Sequence, residues 1–426
     1  MPDHSEELPV YLRGEGYRPI RVGILARDDA ANVQFVVDQN YIDLGPSRPI
    51  LSVSWHVPGD EDLTTVRLCE RRDKLSRFGQ LPPWFGNLLP EGALRNLVET
   101  QMPTGRVSEF DIIRRLGSDL PGAVVVGDGG GIDASAPSPV LQSDTALPRL
   151  RFSLAGVQLK FSSLRQGGRL TLPAQGTTGN VIVKLPHERY PQLPEIEFSS
   201  MKLAEAAGVR TASCELLPSS TAEDIPERLR PGPYVLAVTR FDRTDDGGRI
   251  HTEDFSQVME AVGDQKYAKA NEESIVNAVR RFAESGAAAI EQAVRRVVIN
   301  ILIGNTDAHL KNWSFIFPAG TSVDLAPAYD IVSIVLLNDD EQMALKLRGT
   351  KDPKLMTADR FVKFAQYVGF TDHKMRKVVT DTVARAADTW PDLLKGLPMT
   401  RQQSGTLGRR WKALPLPSGY PSPFPG

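Results

Sequence analysis

A short polar stretch between two apolar segments is the feature that most constrains this chain of 426 residues. Residues 287–303 repeat apolar side chains every three or four positions, which predicts a helix with one buried face. The sequence GNTDAHLKN follows at 304–312, and the apolar, strand-like run WSFIF comes next. Polar side chains held between two buried elements must either satisfy one another or face a cleft. We call residues 304–312 the polar loop.

Strand patterns and helix patterns occupy different parts of the chain. Four patterns in its first part, LPVYLRG, RPIRVGIL, NVQFVVDQNYI and PILSVSWHV, predict short strands, and further strands are predicted between residues 151 and 243. Helical periodicity dominates beyond about residue 250, and Gly, Ser, Ala and Pro accumulate at 127–148. We therefore predict an N-terminal α+β domain at 1–126, a flexible linker at 127–149, a strand-rich lobe at 150–245, a helical lobe at 246–403 and a disordered Pro- and Gly-rich tail at 404–426.

Charge, cysteine content and hydropathy argue against several classes of protein. The formal net charge is −2 at pH 7, without the basic excess typical of a chain that grips DNA by itself. The two cysteines and six histidines show no metal-ligand spacing. The N-terminus lacks the pattern of a secretory signal, and no apolar run reaches the roughly 18 residues of a membrane span. We expect a cytoplasmic protein without a membrane segment.

Two carboxylates and one amide form a candidate centre for metal and phosphate. Asp307 and Asn312 lie five residues apart, the spacing between the base and the magnesium-binding Asn of a protein-kinase catalytic loop. Asp330 follows Pro327 and precedes an apolar run, so a second carboxylate comes after the next hairpin. One carboxylate would orient an attacking hydroxyl, while oxygen ligands would hold Mg²⁺ against the triphosphate of ATP.

A lysine and a loop earlier in the chain complete this candidate centre. Lys184 stands at the end of the apolar run NVIVK, where its ammonium group can leave a buried sheet and meet phosphate oxygens. Either Glu195 or Glu197, on the helix predicted next, could pair with it. The stretch SLAGVQLK at 153–160 contains one Gly and could place backbone amides near phosphates.

Each of these features has an ordinary structural interpretation when it is taken alone. An Asp–Asn pair in a loop is often turn chemistry, Asp330 could cap a helix, and a single Lys is usually solvated. Their order along the chain, with strands before helices, favours phosphoryl transfer. No nucleophile elbow of the type G-x-S-x-G and no Walker A motif is present.

In these motifs the sequence resembles the HipA family of serine/threonine kinases, the toxins of bacterial toxin–antitoxin pairs. The resemblance rests on SLAGVQLKF, NVIVKLP, VTRFDR, HTEDFSQVMEAVGDQKY, GNTDAHLKN and PAYDIVS in the family's order, and on LPPWFGNLLPEGALRNL near the N-terminus. It implies an α+β fold of the bilobal protein-kinase type: a small N-terminal α+β subdomain, a strand-rich nucleotide lobe and a helical C-terminal lobe.

The resemblance also implies roles for individual residues. Asp307 would be the catalytic base, Asn312 and Asp330 would bind Mg²⁺, and Ser153 matches the family's autophosphorylated serine, whose modification silences the kinase. The implied ATP contacts are Ala155, Gly156, Val157, Gln158, Lys160, Lys184, Arg240, Phe241, His309, Lys311, Asn312, Tyr329 and Asp330.

The implied substrate is an aminoacyl-tRNA synthetase, typically the glutamyl enzyme, whose phosphorylation inhibits translation and growth. The implied partner is a small helix-turn-helix antitoxin of the HipB type, which would supply most of the contact with operator DNA. Two alternatives remain open: a kinase-like co-repressor that acts mainly with its antitoxin, and a small-molecule kinase of similar fold.

Overall fold

The computed structural model describes residues 6–70, 75–76, 79–100, 102, 107–127, 159–166, 169–171, 179–222, 225 and 227–424. Nearly all of the predicted linker lies outside these residues, and so do Ser153, Ala155, Gly156, Val157 and Gln158. In the part of the chain that the structure describes, no helix is both long enough and apolar enough to cross a membrane.

The N-terminal subdomain, residues 6–127, is built around a five-stranded sheet with the order β4-β3-β2-β1-β5. Its helix α5 begins at Ser108, whose hydroxyl and the Asp111 carboxylate form a capping box, and it buries Phe110 and Ile113 against the sheet. The elements are β1 Glu6–Leu12, β2 Ile20–Arg27, β3 Val33–Val37, α1 Gln39–Ile42, α2 Glu61–Cys69, β4 Leu75–Ser76, α3 Pro83–Gly86, α4 Gly92–Thr100, α5 Glu109–Leu116 and β5 Val124–Val126.

The last of the four strands predicted in this subdomain does not form. Residues 50–57 contain turns and no strand, although their apolar side chains are largely buried. Ser52 and Val53 donate hydrogen bonds to Glu253 of the helical lobe, so tertiary contacts take the place of a sheet ladder. The alternation of apolar residues at 50–57 therefore predicted correctly that their side chains are buried, but the strand predicted there was wrong.

The strand lobe, residues 159–243, contains a second sheet with the order β7-β6-β8-β10-β9. The strand predicted to carry Lys184 and the helix predicted after it are both confirmed. Lys184 stands opposite both Lys160 and Leu236 in the ladder, at the end of the central strand. The elements are β6 Lys160–Gln166, β7 Arg169–Thr171, β8 Val181–Lys184, α6 Leu193–Ala206, β9 Cys214–Pro218 and β10 Tyr234–Thr239.

The helical lobe, residues 251–424, is organised around α9, the helix predicted at 287–303. Its apolar face is buried along its length, and β11, β12 and β13 form a small sheet beside it. The elements are β11 His251–Asp254, α7 Phe255–Val258, α8 Glu272–Phe282, α9 Ala287–Ile303, β12 Ser314–Phe317, β13 Asp324–Leu325, α10 Ala358–Val362, α11 Asp372–Leu393 and α12 Arg401–Ala413.

The C-terminal segment corrects the prediction of a disordered tail at 404–426. Helix α12 runs through residue 404, and the chain after it packs back on the lobe. The Trp390 ring lies 5.8 Å from that of Trp411 and 5.7 Å from that of Phe424, centroid to centroid. The prediction was wrong because a Pro- and Gly-rich composition hid a few large apolar anchors, which offset the entropy of ordering the segment.

A buried carboxylate joins the N-terminal subdomain to the helical lobe. Glu253 on β11 is fully buried and accepts hydrogen bonds from the Ser52 hydroxyl, from the Val53 N–H at 3.0 Å and from the Trp84 indole N–H at 2.7 Å. Burial raises the pKa of the Glu253 carboxyl to about 7, and the three donors oppose that rise. The carboxylate form is therefore tolerated in the fold because the N-terminal subdomain supplies these donors.

We expect Trp84→Phe to destabilise the protein more at pH 8 than at pH 5.5. The indole N–H stabilises the charged carboxylate, so its removal raises the pKa of Glu253 further. The loss in the free energy of unfolding reaches its full size only above the raised pKa, where Glu253 is charged in the folded protein. A hydrogen bond to a charged group contributes about 1.5–3 kcal/mol. Urea unfolding at both pH values measures the difference. Trp411→Phe, whose indole bonds to the Tyr420 carbonyl, is the matched control with a loss independent of pH. Equal losses for Trp84→Phe at both pH values would contradict the assignment.

Candidate active site

Lys184 is one of the points at which the strand lobe and the helical lobe meet. Its ammonium group donates to the carboxylate of Glu197 on α6 and to that of Asp330, in the loop after β13. The structure thus selects Glu197, and not Glu195, as the glutamate that pairs with Lys184. Lys160 is the next cation, with its Nζ atom 3.9 Å from the Asp330 carboxylate.

Lys184 and Glu197 are almost out of solvent, and Asp330 is partly exposed. The exposed fraction of the side chain is 7% for Lys184, 1% for Glu197 and 24% for Asp330. Burial opposes the charge on Lys184, but Asp330 and Glu197 raise its pKa above the usual range. Burial also opposes the charge on Asp330, and Lys184 outweighs it and holds the pKa of that carboxyl well below its usual range. For Glu197 burial dominates and raises the pKa.

The backbone around Asp330 is held in an unusual conformation. Asp330 has a φ of +53°, in the left-handed region that residues other than Gly rarely adopt. The Asn305 amide donates to the Asp330 carbonyl at 3.4 Å and to the Asn300 side chain at 3.0 Å, and so ties this residue to the end of α9. Ser333, and not Asp330, precedes the short 3₁₀ turn that follows, so the capping interpretation of Asp330 is wrong.

The polar loop begins where α9 ends at Gly304. This residue has a φ of +70°, and a Cβ atom added to it would lie 2.5 Å from a methyl group of Val335. Glycine is therefore needed for the chain to leave the buried helix and turn toward the cleft. The turn carries Asp307 and, through the 3₁₀ helix Leu310–Asn312, the amide of Asn312.

Asp307 is partly buried and has one strong donor. The Tyr267 hydroxyl donates to its carboxylate at 2.7 Å, and the Tyr267 ring meets the His309 ring edge-on at 5.0 Å between centroids. Burial raises the pKa of the Asp307 carboxyl to about 6, and the hydrogen bond from Tyr267 opposes that rise. A carboxylate with this pKa accepts a proton more readily than an exposed one and is still mostly ionised at neutral pH.

Asn312 and His309 offer buried atoms that the described residues leave without a partner. These atoms are the side-chain oxygen of Asn312 and Nδ1 of His309. Burial, followed by the charge of Lys266, lowers the pKa of His309 to about 3, so its ring is neutral. An unpaired amide oxygen and a carboxylate suit Mg²⁺, which takes few protein ligands and completes its shell with phosphate and water. No cluster of three or more acidic, His or Cys side chains that could hold a metal by itself occurs among the described residues.

Tyr329, Phe241 and Lys311 line the same region. The Tyr329 hydroxyl donates to the Lys311 carbonyl at 2.9 Å and shares a hydrogen bond of 2.6 Å with Ser314. The Tyr329 ring lies 5.6 Å from that of Phe241, centroid to centroid. Lys311 itself directs its ammonium group to Glu91 of the N-terminal subdomain, at 2.9 Å.

Arg240 has a different environment from the one predicted for an ATP contact. Its guanidinium donates to both carboxylate oxygens of Asp242, at 3.0 and 2.8 Å, and to the Ser162 hydroxyl at 3.0 Å. It also reaches Asp119 of the N-terminal subdomain, at 3.3 Å. The side chain therefore holds the subdomain against the strand lobe, and the contact of Arg240 with ATP stays a prediction.

Sequence reasoning missed four residues of this site: Tyr267, Asn305, Lys266 and Glu91. Tyr267 stands at the end of the quoted motif HTEDFSQVMEAVGDQKY and Asn305 inside the polar loop, so a role could have been sought for both. Lys266 adjoins Tyr267, but nothing in the spacing marked it. Glu91 lies 220 residues before its partner Lys311, and no local pattern could have paired them.

Taken together, the arrangement suits transfer of a charged group to a hydroxyl. The buried Lys184 contacts the Asp330 carboxylate from the other lobe, and the charge of Asp330 in turn acts on Asp307 and on His309 in the polar loop. In protein kinases a strand lysine pairs with a helix glutamate, and separate Asp and Asn residues hold magnesium. Lys184 on β8 and Glu197 on α6 form such a lysine–glutamate pair, and the role of Asp330 and Asn312 toward magnesium stays a prediction.

Two family models match the chain over most of its length. The model described as the HipA N-terminal domain matches residues 10–127, and that described as the HipA-like C-terminal domain matches residues 152–390. The latter alone covers more than half of the chain and contains every site residue named above except Glu91 and Asp119.

Relatives of known name agree with these models. A relative from Sinorhizobium fredii that is named as a kinase, Y4dM, is 35% identical over 88% of this chain and 90% of its own length. The serine/threonine-protein kinase toxin HipA of Shewanella oneidensis is 24% identical over 80% of this chain and 83% of that protein. The solved complex of HipA, HipB and operator DNA from the same species contains a chain with a TM-score of 0.68 at 20% identity, each chain being covered to 96%. This likeness confirms the predicted fold class.

We expect Lys184→Met to destabilise the protein by about 3–5 kcal/mol at pH 8, because it leaves two carboxylates in the cleft without their cation. The loss should shrink at pH 5.5, since Glu197 and Asp330 can then take up protons. Lys160→Met is the control: that side chain is 53% exposed, and its removal should cost less than about 1 kcal/mol. Urea unfolding at the two pH values measures both variants. A loss in Lys184→Met that did not depend on pH would show that the two carboxylates do not rely on Lys184.

Proposed function

The chain belongs to the HipA family of kinases, and from that premise we propose that it is an ATP- and Mg²⁺-dependent serine/threonine-protein kinase that acts as the toxin of a toxin–antitoxin pair. One observation carries the proposal: Lys184 contacts Glu197 and Asp330, and the charge of Asp330 acts on Asp307 and His309 of the polar loop. A structural ion pair would not require an unpaired amide oxygen and a poised carboxylate beside it.

The charges at the site match those of the proposed ligand. Lys184 and Asp330 form an ion pair. In a complex with nucleotide and magnesium, Lys184 would exchange the Asp330 carboxylate for a phosphate, which is also an anion. Asp330 would exchange the Lys184 ammonium group for magnesium, also a cation, which Asn312 would help to bind. Glu197 would keep Lys184 in position during that exchange. The neutral His309 ring could donate or accept a hydrogen bond without adding a charge.

Asp307 would accept the proton of the attacking serine or threonine hydroxyl. Its burial and its bond to Tyr267 fix the carboxylate before a substrate arrives, which is the positioning that phosphoryl transfer requires. Magnesium would supply neutralisation of the phosphate charge. The residues of this chain would orient the hydroxyl, remove its proton and hold the phosphates.

We expect Asp307→Asn to reduce phosphoryl transfer by about 10²- to 10⁴-fold while ATP binding is retained, because the amide cannot accept the proton. In the wild type the rate should fall as the pH drops through about 6, where the carboxyl becomes protonated. Tyr267→Phe should shift this acid limb to higher pH, since the lost hydrogen bond lowers the pKa of Asp307. Rates with ³²P-labelled ATP across pH 5–8 measure these effects.

Tyr367→Phe is the matched control for Tyr267→Phe. Tyr367 is 58% exposed, and its hydroxyl accepts from Asn277, so its pH profile should equal that of the wild type. An Asp307→Asn variant with unreduced activity would contradict the assignment of the base.

The partners and the substrate are proposed from the family. The Shewanella oneidensis protein was solved with HipB and operator DNA, and we propose that this chain likewise binds a small helix-turn-helix antitoxin. The net charge of −2 favours DNA contact mainly through that antitoxin. We propose an aminoacyl-tRNA synthetase as the substrate, with the glutamyl enzyme as the first candidate. We further propose that phosphorylation of Ser153 switches the kinase off and that the protein acts in the cytoplasm.

Expression of the wild type without its antitoxin should arrest growth, and expression of Asp307→Asn should not, because the arrest depends on phosphoryl transfer. Labelled ATP added to lysate should mark one synthetase band, identified by mass spectrometry, together with Ser153 of the chain itself. A co-repressor without kinase activity would give no label and no arrest. A small-molecule kinase would consume ATP without labelling any protein.

A further inference from the structure

Glu91 extends from the N-terminal subdomain to two lysines of the helical lobe. Its carboxylate accepts from Lys266 at 2.6 Å and from Lys311 at 2.9 Å. The two lysine side chains are only 7% and 16% exposed, so neither ammonium group is well solvated. Burial opposes the charge on Glu91, but Lys311 and Lys266 outweigh it and lower the pKa of the carboxyl to about 2. The carboxylate is therefore charged at every pH at which the protein works.

Both lysines adjoin groups of the candidate active site. Lys266 precedes Tyr267, the donor to Asp307, and its Nζ atom lies 5.5 Å from the centre of the Tyr267 ring. Lys311 precedes Asn312 in the 3₁₀ turn of the polar loop, and its carbonyl accepts from Tyr329, the neighbour of Asp330. One carboxylate thus fixes the two segments that present the base and the amide ligand.

The position of Glu91 is itself fixed by the helical lobe. Earlier in the same segment, the Trp84 indole is bonded to Glu253, and the Asn87 side-chain amide donates to the Ala261 carbonyl at 2.8 Å. These contacts come from the same end of the N-terminal subdomain and leave Glu91 little freedom. Helix α4 begins directly after it at Gly92.

From these contacts we propose that Glu91 is a positioning residue of the kinase, through which the N-terminal subdomain completes the phosphoryl-transfer site of the helical lobe. The proposal rests on the proposed function. Glu91 touches neither the base nor the amide ligand, and it acts by holding Lys266 and Lys311. Without it two partly buried ammonium groups lose their shared counter-charge and repel each other, and the polar loop is no longer restrained from that side.

The consequence for catalysis differs from that of lost stability. A loosened polar loop lowers kcat by about tenfold or more, since small displacements of catalytic groups are costly. The KM for ATP should not rise, because the change removes a negative charge near the proposed phosphate site. The charged and titratable groups facing Asp307 are Tyr267, Lys266, Asp330 and Glu91; of these, Lys266 lowers the pKa of the base and Glu91 raises it.

The test compares full-length wild type, Glu91→Gln, Lys266→Met and Glu99→Gln in the ³²P-ATP assay. Glu99 is the matched control, because within the described part of the chain its carboxylate pairs with Arg95 of its own subdomain, at 2.9 Å, and not with the helical lobe. We expect kcat to fall about tenfold or more in Glu91→Gln and Lys266→Met and to stay unchanged in Glu99→Gln. The acid limb should move to lower pH in Glu91→Gln and to higher pH in Lys266→Met.

Hydrogen–deuterium exchange supplies a second reading that needs no activity. Exchange at residues 305–312 should be faster in Glu91→Gln than in the wild type, while residues 290–302 of α9 should be unchanged. If Glu91→Gln does not fold, Lys266→Met gives the decisive comparison.

The outcomes separate the two claims. An active wild type with Glu91→Gln within twofold of it in kcat overturns the positioning role and leaves the proposed function standing. The positioning role is also overturned if kcat falls while the acid limb stays in place and exchange at residues 305–312 is not faster. A purely structural role of Glu91 predicts that result. A folded wild type that transfers no phosphate overturns the proposed function, and this inference with it.

Discussion

The ion pairs of Lys184 are the interaction on which the rest of the site depends. A lysine taken out of water at the end of a central strand is costly unless carboxylates surround it, and Glu197 and Asp330 come from different lobes to do so. The contact therefore fixes the distance between the lobes as well as the charge of the cleft. Asp330 itself has a positive φ, and the Asn305 amide donates to its carbonyl.

The N-terminal subdomain is held to both lobes by contacts of the same kind. Glu253 receives donors from it, Arg240 and Arg243 contact Asp119 within it, and Glu91 reaches the lysines beside the polar loop. These contacts are buried or partly buried and charged, so they are directional, and replacing one partner leaves the other without compensation. A subdomain that only recruited partners would not need to approach the catalytic groups this closely.

Predictions from local pattern succeeded where one physical cause dominates. Periodicity and boundary residues account for the apolar face of α9, the strand that ends at Lys184 and the helix after it, which has Pro194 in its first turn. The prediction failed at 50–57, where buried side chains face another subdomain instead of a sheet, and at 404–426, where Trp411 and Phe424 anchor a segment of disorder-like composition. In both places the deciding contacts lie far away in the chain.

The sequence by itself determined the chemical inventory: a carboxylate and an amide at kinase spacing, a second carboxylate after a hairpin, and a lysine at a strand end. Those features are local, because spacing and periodicity act over a few residues. Only the tertiary structure decided which glutamate pairs with Lys184, that Tyr267 donates to Asp307, and that Glu91 crosses from another subdomain to Lys266 and Lys311. Charge pairing between distant segments depends on where the fold brings them together, and no pattern along the chain records it.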